Sequence, residues 1–85
     1  MNSKYYYLRF RSATYARHAS KILNGQNISS YVIRLPQNLA ETGCGYAVKI
    51  KTENLDPALR ALKSNRIEVL KIYEKSGENY QEVRF

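Results

Sequence analysis

Eighty-five residues carrying fourteen Lys and Arg against seven Asp and Glu make one small basic domain of formal charge +7. A chain this short buries a smaller share of its surface than a larger one and has no room for a deep cleft beside a separate scaffold. Its single cysteine excludes an intramolecular disulfide, and no apolar run approaches the length of a membrane span.

Lys4 to Phe10 (KYYYLRF) reads as the first strand, aromatic and free of Gly and Pro. Alternation turns Tyr6, Leu8 and Phe10 to one face and Tyr5, Tyr7 and Arg9 to the other. Ser12 or Thr14 is placed to cap a helix whose apolar stripe is Ala16, Ala19, Ile22 and Leu23, and Asn24-Gly25 supplies the stop. Ile28 to Leu35 is β-branched and reads as strand two, followed by a loop over Pro36 to Gly43. Strand three, Gly45 to Lys51, sets Tyr46, Val48 and Ile50 against Ala47, Lys49 and Lys51.

A second helix opens near Asn54 or Asp56, with Pro57 in its first turn. Its stripe is Leu55, Ala58, Leu59 and Leu62. Strand four is expected over Ile67 to Tyr73. From Glu74 the chain turns polar, although Tyr80, Val83 and Phe85 have the spacing of an added strand. The order predicts an α/β (α+β) fold: a ferredoxin-like βαββαβ sandwich with a four-stranded antiparallel sheet and two helices on one face. The domain is expected over 1–74 and a polar tail over 75–85.

In that topology strands one and two run parallel with strand three between them. The start of strand three then lies beside the end of strand one and the start of helix one. Cys44 precedes strand three, so it is expected near Ser12 and near Arg11 and Arg34, which end strands one and two. Helix amides and cations both favour a thiolate. Gly43 and Gly45 remove side-chain cover on either side of the thiol. An accessible, electropositively placed thiol is what sulfur or selenium transfer requires; a buried cysteine acting as a small hydrophobe is the plainer alternative.

Around Cys44 the sequence resembles the family of selenium/sulfur carrier-like proteins. The features are the aromatic strand Tyr5 to Phe10, the helix Ala16 to Leu23, Arg34-Leu35-Pro36, Cys44-Gly45-Tyr46-Ala47-Val48-Lys49-Ile50, Glu53-Asn54-Leu55 and Ala58-Leu59. The chain departs from the family where serines often precede the cysteine; here stand Glu41-Thr42-Gly43. The resemblance implies a persulfide or perselenide carried on Cys44 and a cysteine desulfurase or selenium-handling enzyme as partner; the residues themselves equip the chain poorly as an independent catalyst, so no turnover of its own and no cofactor are expected.

The rival expectation is RNA binding, or dimerisation, on a sheet face left open by the helices. Tyr5, Tyr7, Arg9 and Lys49 would serve it, and Val32 and Ala47 would join a sheet-to-sheet dimer. The segment Gly45 to Ile50 echoes a strand of the RNA-recognition module. It has Cys44 where that motif has a basic residue, and Val48 and Ile50 where it has aromatics. His18 sits among polar neighbours and reads as a surface residue. No Cys/His cluster has metal-ligand spacing. No signal-peptide core follows Met1-Asn2-Ser3-Lys4, so the cytoplasm is the expected compartment.

Overall fold

The computed structural model describes residues 5–35, 45–76 and 79–83. Elements follow in the order β1 (Tyr5–Arg9), α1 (Ala13–Gly25), β2 (Ser30–Arg34), β3 (Tyr46–Lys51), a 3-10 turn (Thr52–Asn54), α2 (Leu55–Ser64), β4 (Lys71–Ser76) and β5 (Asn79–Val83). The sheet is antiparallel throughout, in the order β2-β3-β1-β4-β5. It therefore has five strands where four were expected. The fifth arises because Asn79 to Val83 pairs along β4, from Ser76↔Asn79 to Ile72↔Val83. β4 itself runs from Lys71 to Ser76.

Both helices share one core with one face of the sheet. Ala16, Ala19 and Leu23 of α1 and Ala58, Ala61 and Leu62 of α2 are buried against Leu8, Phe10, Val48, Ile50 and Ile72. Each large apolar side chain withdrawn here contributes about 1.5–3 kcal/mol of transfer free energy, which makes this layer the main source of stability. The i, i+3, i+4 spacing in the helices and the alternation in β1 and β3 meet on that layer.

The opposite face is not bare. Tyr7 (4% exposed), Leu35, Ala47 and Tyr73 form a second buried cluster, with Tyr5, Ile33 and Tyr80 packed against it. The open face expected from a two-layer sandwich is thus largely covered around its centre. Val32 does not belong to it: its partner in register is Val48, on the helix side.

The two helices end in the same way. In α1, Ile28 N–H donates to Leu23 C=O (2.9 Å) and Asn27 N–H to Asn24 C=O (3.2 Å), with Asn27 at φ 63°. In α2, Ile67 N–H donates to Leu62 C=O (2.9 Å) and Arg66 N–H to Lys63 C=O (3.0 Å), with Arg66 at φ 60°. These are Schellman stops, each sealed by a buried Ile–Leu pair. The left-handed residue after α1 is therefore Asn27, not Gly25. The second stop also explains why β4 starts four residues later than Ile67: that residue is occupied in ending α2.

At the other end of α1, Ser12 is the N-cap and its Oγ accepts the Tyr15 N–H at 3.3 Å. A polar bridge ties the helix to β2. Ser20 and Ser30 hydroxyls lie 2.8 Å apart, and Asn24 Oδ1 accepts the Ser30 N–H at 3.1 Å.

Candidate functional site

The ladder fixes one end of the sheet. Arg34 stands opposite Tyr46 across β2 and β3, and Arg9 stands opposite Ala47 across β1 and β3. β3 lies between β1 and β2 and runs against both, so the end of β1, the end of β2 and the start of β3 meet there. Leu35 N–H donates to Gly45 C=O, which closes the ladder one residue beyond the strands. Phe10, Arg11 and Ser12 lead from the same end into α1.

Cys44 and Gly43 lie outside the described residues, and so does Pro36. What is described is Gly45, bonded directly to Cys44 in the chain. Gly45 is buried, with its carbonyl committed to Leu35.

Arg34 and Arg11 are both exposed at this end. The Arg34 guanidinium sits 5.9 Å from the centroid of the Tyr46 ring, and that of Arg11 sits 5.6 Å from the Tyr15 ring. Stacking on an aromatic face restrains a cation without neutralising it. Ser12 spends its hydroxyl on the Tyr15 amide, so it serves the helix as a cap. The amides of Ala13 and Thr14 precede the first in-helix donor, Ala16, which bonds to Ser12 C=O at 3.0 Å.

Arg9 is the residue that sequence reasoning undervalued. It was expected beside Tyr5 and Tyr7 on an open face, but it is only 7% exposed, and its Nε has no hydrogen-bond partner among the described residues. A buried guanidinium is costly unless an anion meets it. Gly45 lies two residues along β3 from Ala47, the partner of Arg9, and on the same face. Strand rise and spacing put the two Cα atoms about 8 Å apart. Parity in the sequence placed Arg9 on this face; its burial depends on cover that parity does not report.

Of the remaining candidates, Lys49 holds its Nζ 4.1 Å over the Tyr5 ring. Tyr7 is packed edge-on by Tyr80 and has little free ring face. Burial is the main cause raising the Tyr7 hydroxyl pKa above 10.0, helped by Tyr80 and Tyr5. His18 is exposed in the middle of α1. Among the described residues no cluster of His, Cys, Asp or Glu could hold a metal ion. None of their helices is long and apolar enough to cross a membrane.

A family model described as putative Se/S carrier protein-like matches residues 5–74. The chain belongs to this Se/S carrier protein-like family. The match spans β1 through most of β4 and takes in the segment that holds Cys44. No curated protein and no solved structure matches the chain. For a member of the Se/S carrier protein-like family, the described geometry supplies cations around the point where the cysteine-bearing segment joins β3.

Proposed function

We propose that this protein carries sulfur or selenium as a persulfide or perselenide on Cys44. The observation that carries the reading is the position of Gly45, next to Cys44 in a chain of this family, at the sheet end shared by Arg9, Arg11 and Arg34. Cations lower the cost of a thiolate and of the anionic chalcogen that replaces it. We read β1 to β4, in the order β4-β1-β3-β2, as a ferredoxin-like unit to which β5 is added.

In the proposed step the Cys44 thiolate attacks the terminal sulfur of a persulfide on a cysteine desulfurase. The donor's S–S bond breaks, its cysteine leaves as thiolate, and the new S–S bond on Cys44 retains the terminal sulfur and its proton. No net oxidation occurs, so no cofactor is required. A second nucleophile then takes the terminal atom and returns Cys44 to thiolate. The protein acts as an accessory carrier without turnover of its own, in the cytoplasm. RNA binding draws on the same positive charge, but the burial of Tyr7 opposes base stacking there.

The test is intact-mass analysis after incubation with a desulfurase and cysteine, alongside alkylation rate against pH. One added sulfur atom per chain, absent in Cys44→Ser, is expected, with labelling well below the ordinary thiol pKa of about 8.5. A thiol that labels only after denaturation would overturn the reading.

A further inference from the structure

The sheet face turned away from the helices carries tyrosines and lysines in alternation across the strands. Lys49 stands opposite Tyr31 of β2, and Lys51 stands opposite Tyr5 of β1. One step beyond Tyr6↔Glu74, the antiparallel register sets Lys75 on the other side of Tyr5, and Tyr80 lies opposite Lys75. One row across β3, β1, β4 and β5 thus reads Lys51, Tyr5, Lys75, Tyr80. The next row begins Tyr31, Lys49. This grid lies away from Gly45 and stands apart from the chemistry proposed for Cys44.

The charge on this face is nearly all of one sign. Lys51 and Lys75 are exposed, and Lys49 is half-buried with its Nζ 4.1 Å from the centroid of the Tyr5 ring. Lys75 Nζ lies 5.6 Å from the centroid of Tyr80. A ring face holds an ammonium in place without neutralising it. Among the described strand residues of this face the one acid is Glu82, and it pairs with Lys71 at 3.4 Å. Tyr31 is 64% exposed, whereas Tyr5 and Tyr80 are half-buried and Tyr7 and Tyr73 are buried.

The arrangement separates the polyanions that such charge could attract. Lysine is depleted in protein–protein interfaces, whose centres are apolar. Here lysines form the centre of the patch, and the surface between them is aromatic. Cations that follow a phosphate backbone, beside a ring that stacks an unpaired base, are the means by which proteins hold single strands. A duplex keeps its bases stacked on one another and offers no base face to Tyr31.

We propose that this face binds a single-stranded segment of nucleic acid, with Tyr31 stacking a base and Lys49, Lys51 and Lys75 meeting phosphates. Tyr7 takes no part, because it is buried; the stacking surface moves out to the edge strand. Lys51 and Lys75 flank Tyr5 with Cα atoms about 10 Å apart, so the strand runs across the sheet rather than along one β-strand.

Fluorescence anisotropy of the full chain with a short labelled single-stranded RNA tests this, with the same sequence as a duplex and poly-glutamate as competitors. The single strand is expected to bind more tightly than the duplex, and poly-glutamate to compete weakly. Tyr31→Ala should weaken binding about 5-fold or more without changing its salt dependence, and Tyr31→Phe should bind as wild type does. Lys51→Gln and Lys75→Gln should each take about 0.7 from the slope of log affinity against log salt. Arg60→Gln, on the exposed side of α2, should leave that slope unchanged. All four positions are exposed, so their substitution leaves the core intact. No binding at low salt, full affinity in Tyr31→Ala, or an equal loss of slope in Arg60→Gln overturns the proposal. Equal affinity for the duplex also overturns it, and so does equal competition by poly-glutamate, which would point to an acidic protein instead.

Discussion

The Tyr80 ring meets Tyr7 edge-on, with centroids 5.2 Å apart and planes at 73°, so that β5 touches β1 across the intervening β4. Edge-to-face pairs contribute about 0.5–1.5 kcal/mol beyond the area they bury. A double-mutant cycle of Tyr7→Leu and Tyr80→Leu, read by urea unfolding, is expected to give a coupling in that range. Zero coupling would mean that β5 lies along the sheet without helping to hold Tyr7.

The same tyrosine makes stability fall at high pH. Its folded pKa is raised above the unfolded 10.0, so the folded state holds the proton more tightly. The corresponding stability is fully present below about pH 10 and is lost as pH rises through the folded value. Thermal melts between pH 8 and 11 should show a steeper alkaline decline in wild type than in Tyr7→Phe. Identical slopes would remove Tyr7 as the cause.

Arg66 holds a left-handed backbone with a side chain that gains nothing from it. That conformation costs a non-glycine L-residue roughly 1–2 kcal/mol. Arg66→Gly should therefore raise the midpoint of unfolding, by somewhat less than that cost because glycine loses more chain entropy on folding. Asn27→Gly should gain less, since Asn tolerates the region better. Gly25 is the converse case. A Cβ there meets nothing within 4 Å, and Gly25→Ala is expected to stabilise by about 0.4–1 kcal/mol in the same melts.

Arg9→Met keeps the length of the side chain and removes the buried charge. If Arg9 supports the anion on Cys44, alkylation of Cys44 at neutral pH should slow several-fold while stability holds or rises. An unchanged rate with raised stability would leave Arg9 as a buried cation unrelated to the thiol.

Much of this architecture is legible in the sequence because side-chain parity and helical spacing act locally. Leu8, Val48 and Ile50 on the helix face and a cap at Ser12 or Thr14 follow from such patterns, whereas the place of β3 between β1 and β2 came from the expected topology. Ile67 was misread because β-branched propensity favours a strand, while the Schellman hydrogen bond to Leu62 claims the residue first. Tyr80 has the spacing of an added strand, but that spacing does not name its partner, because Tyr7 lies more than seventy residues away. Burial of Arg9 escaped for a related reason: it depends on what covers a sheet face, and no short pattern encodes that. The residue carrying the proposed chemistry, Cys44, was singled out by its glycine neighbours and the family pattern.

The hydrogen bond between Leu35 and Gly45 has a consequence for how this protein can vary. Leu35 and Gly45 are held as one backbone pair, so the ladder itself fixes the separation of the two ends that the intervening chain must join. Lengthening such a segment costs little, about 0.6 kcal/mol for each doubling. A variant lengthened between Leu35 and Gly45 is therefore expected to keep the β2–β3 register and to melt within a few degrees of wild type.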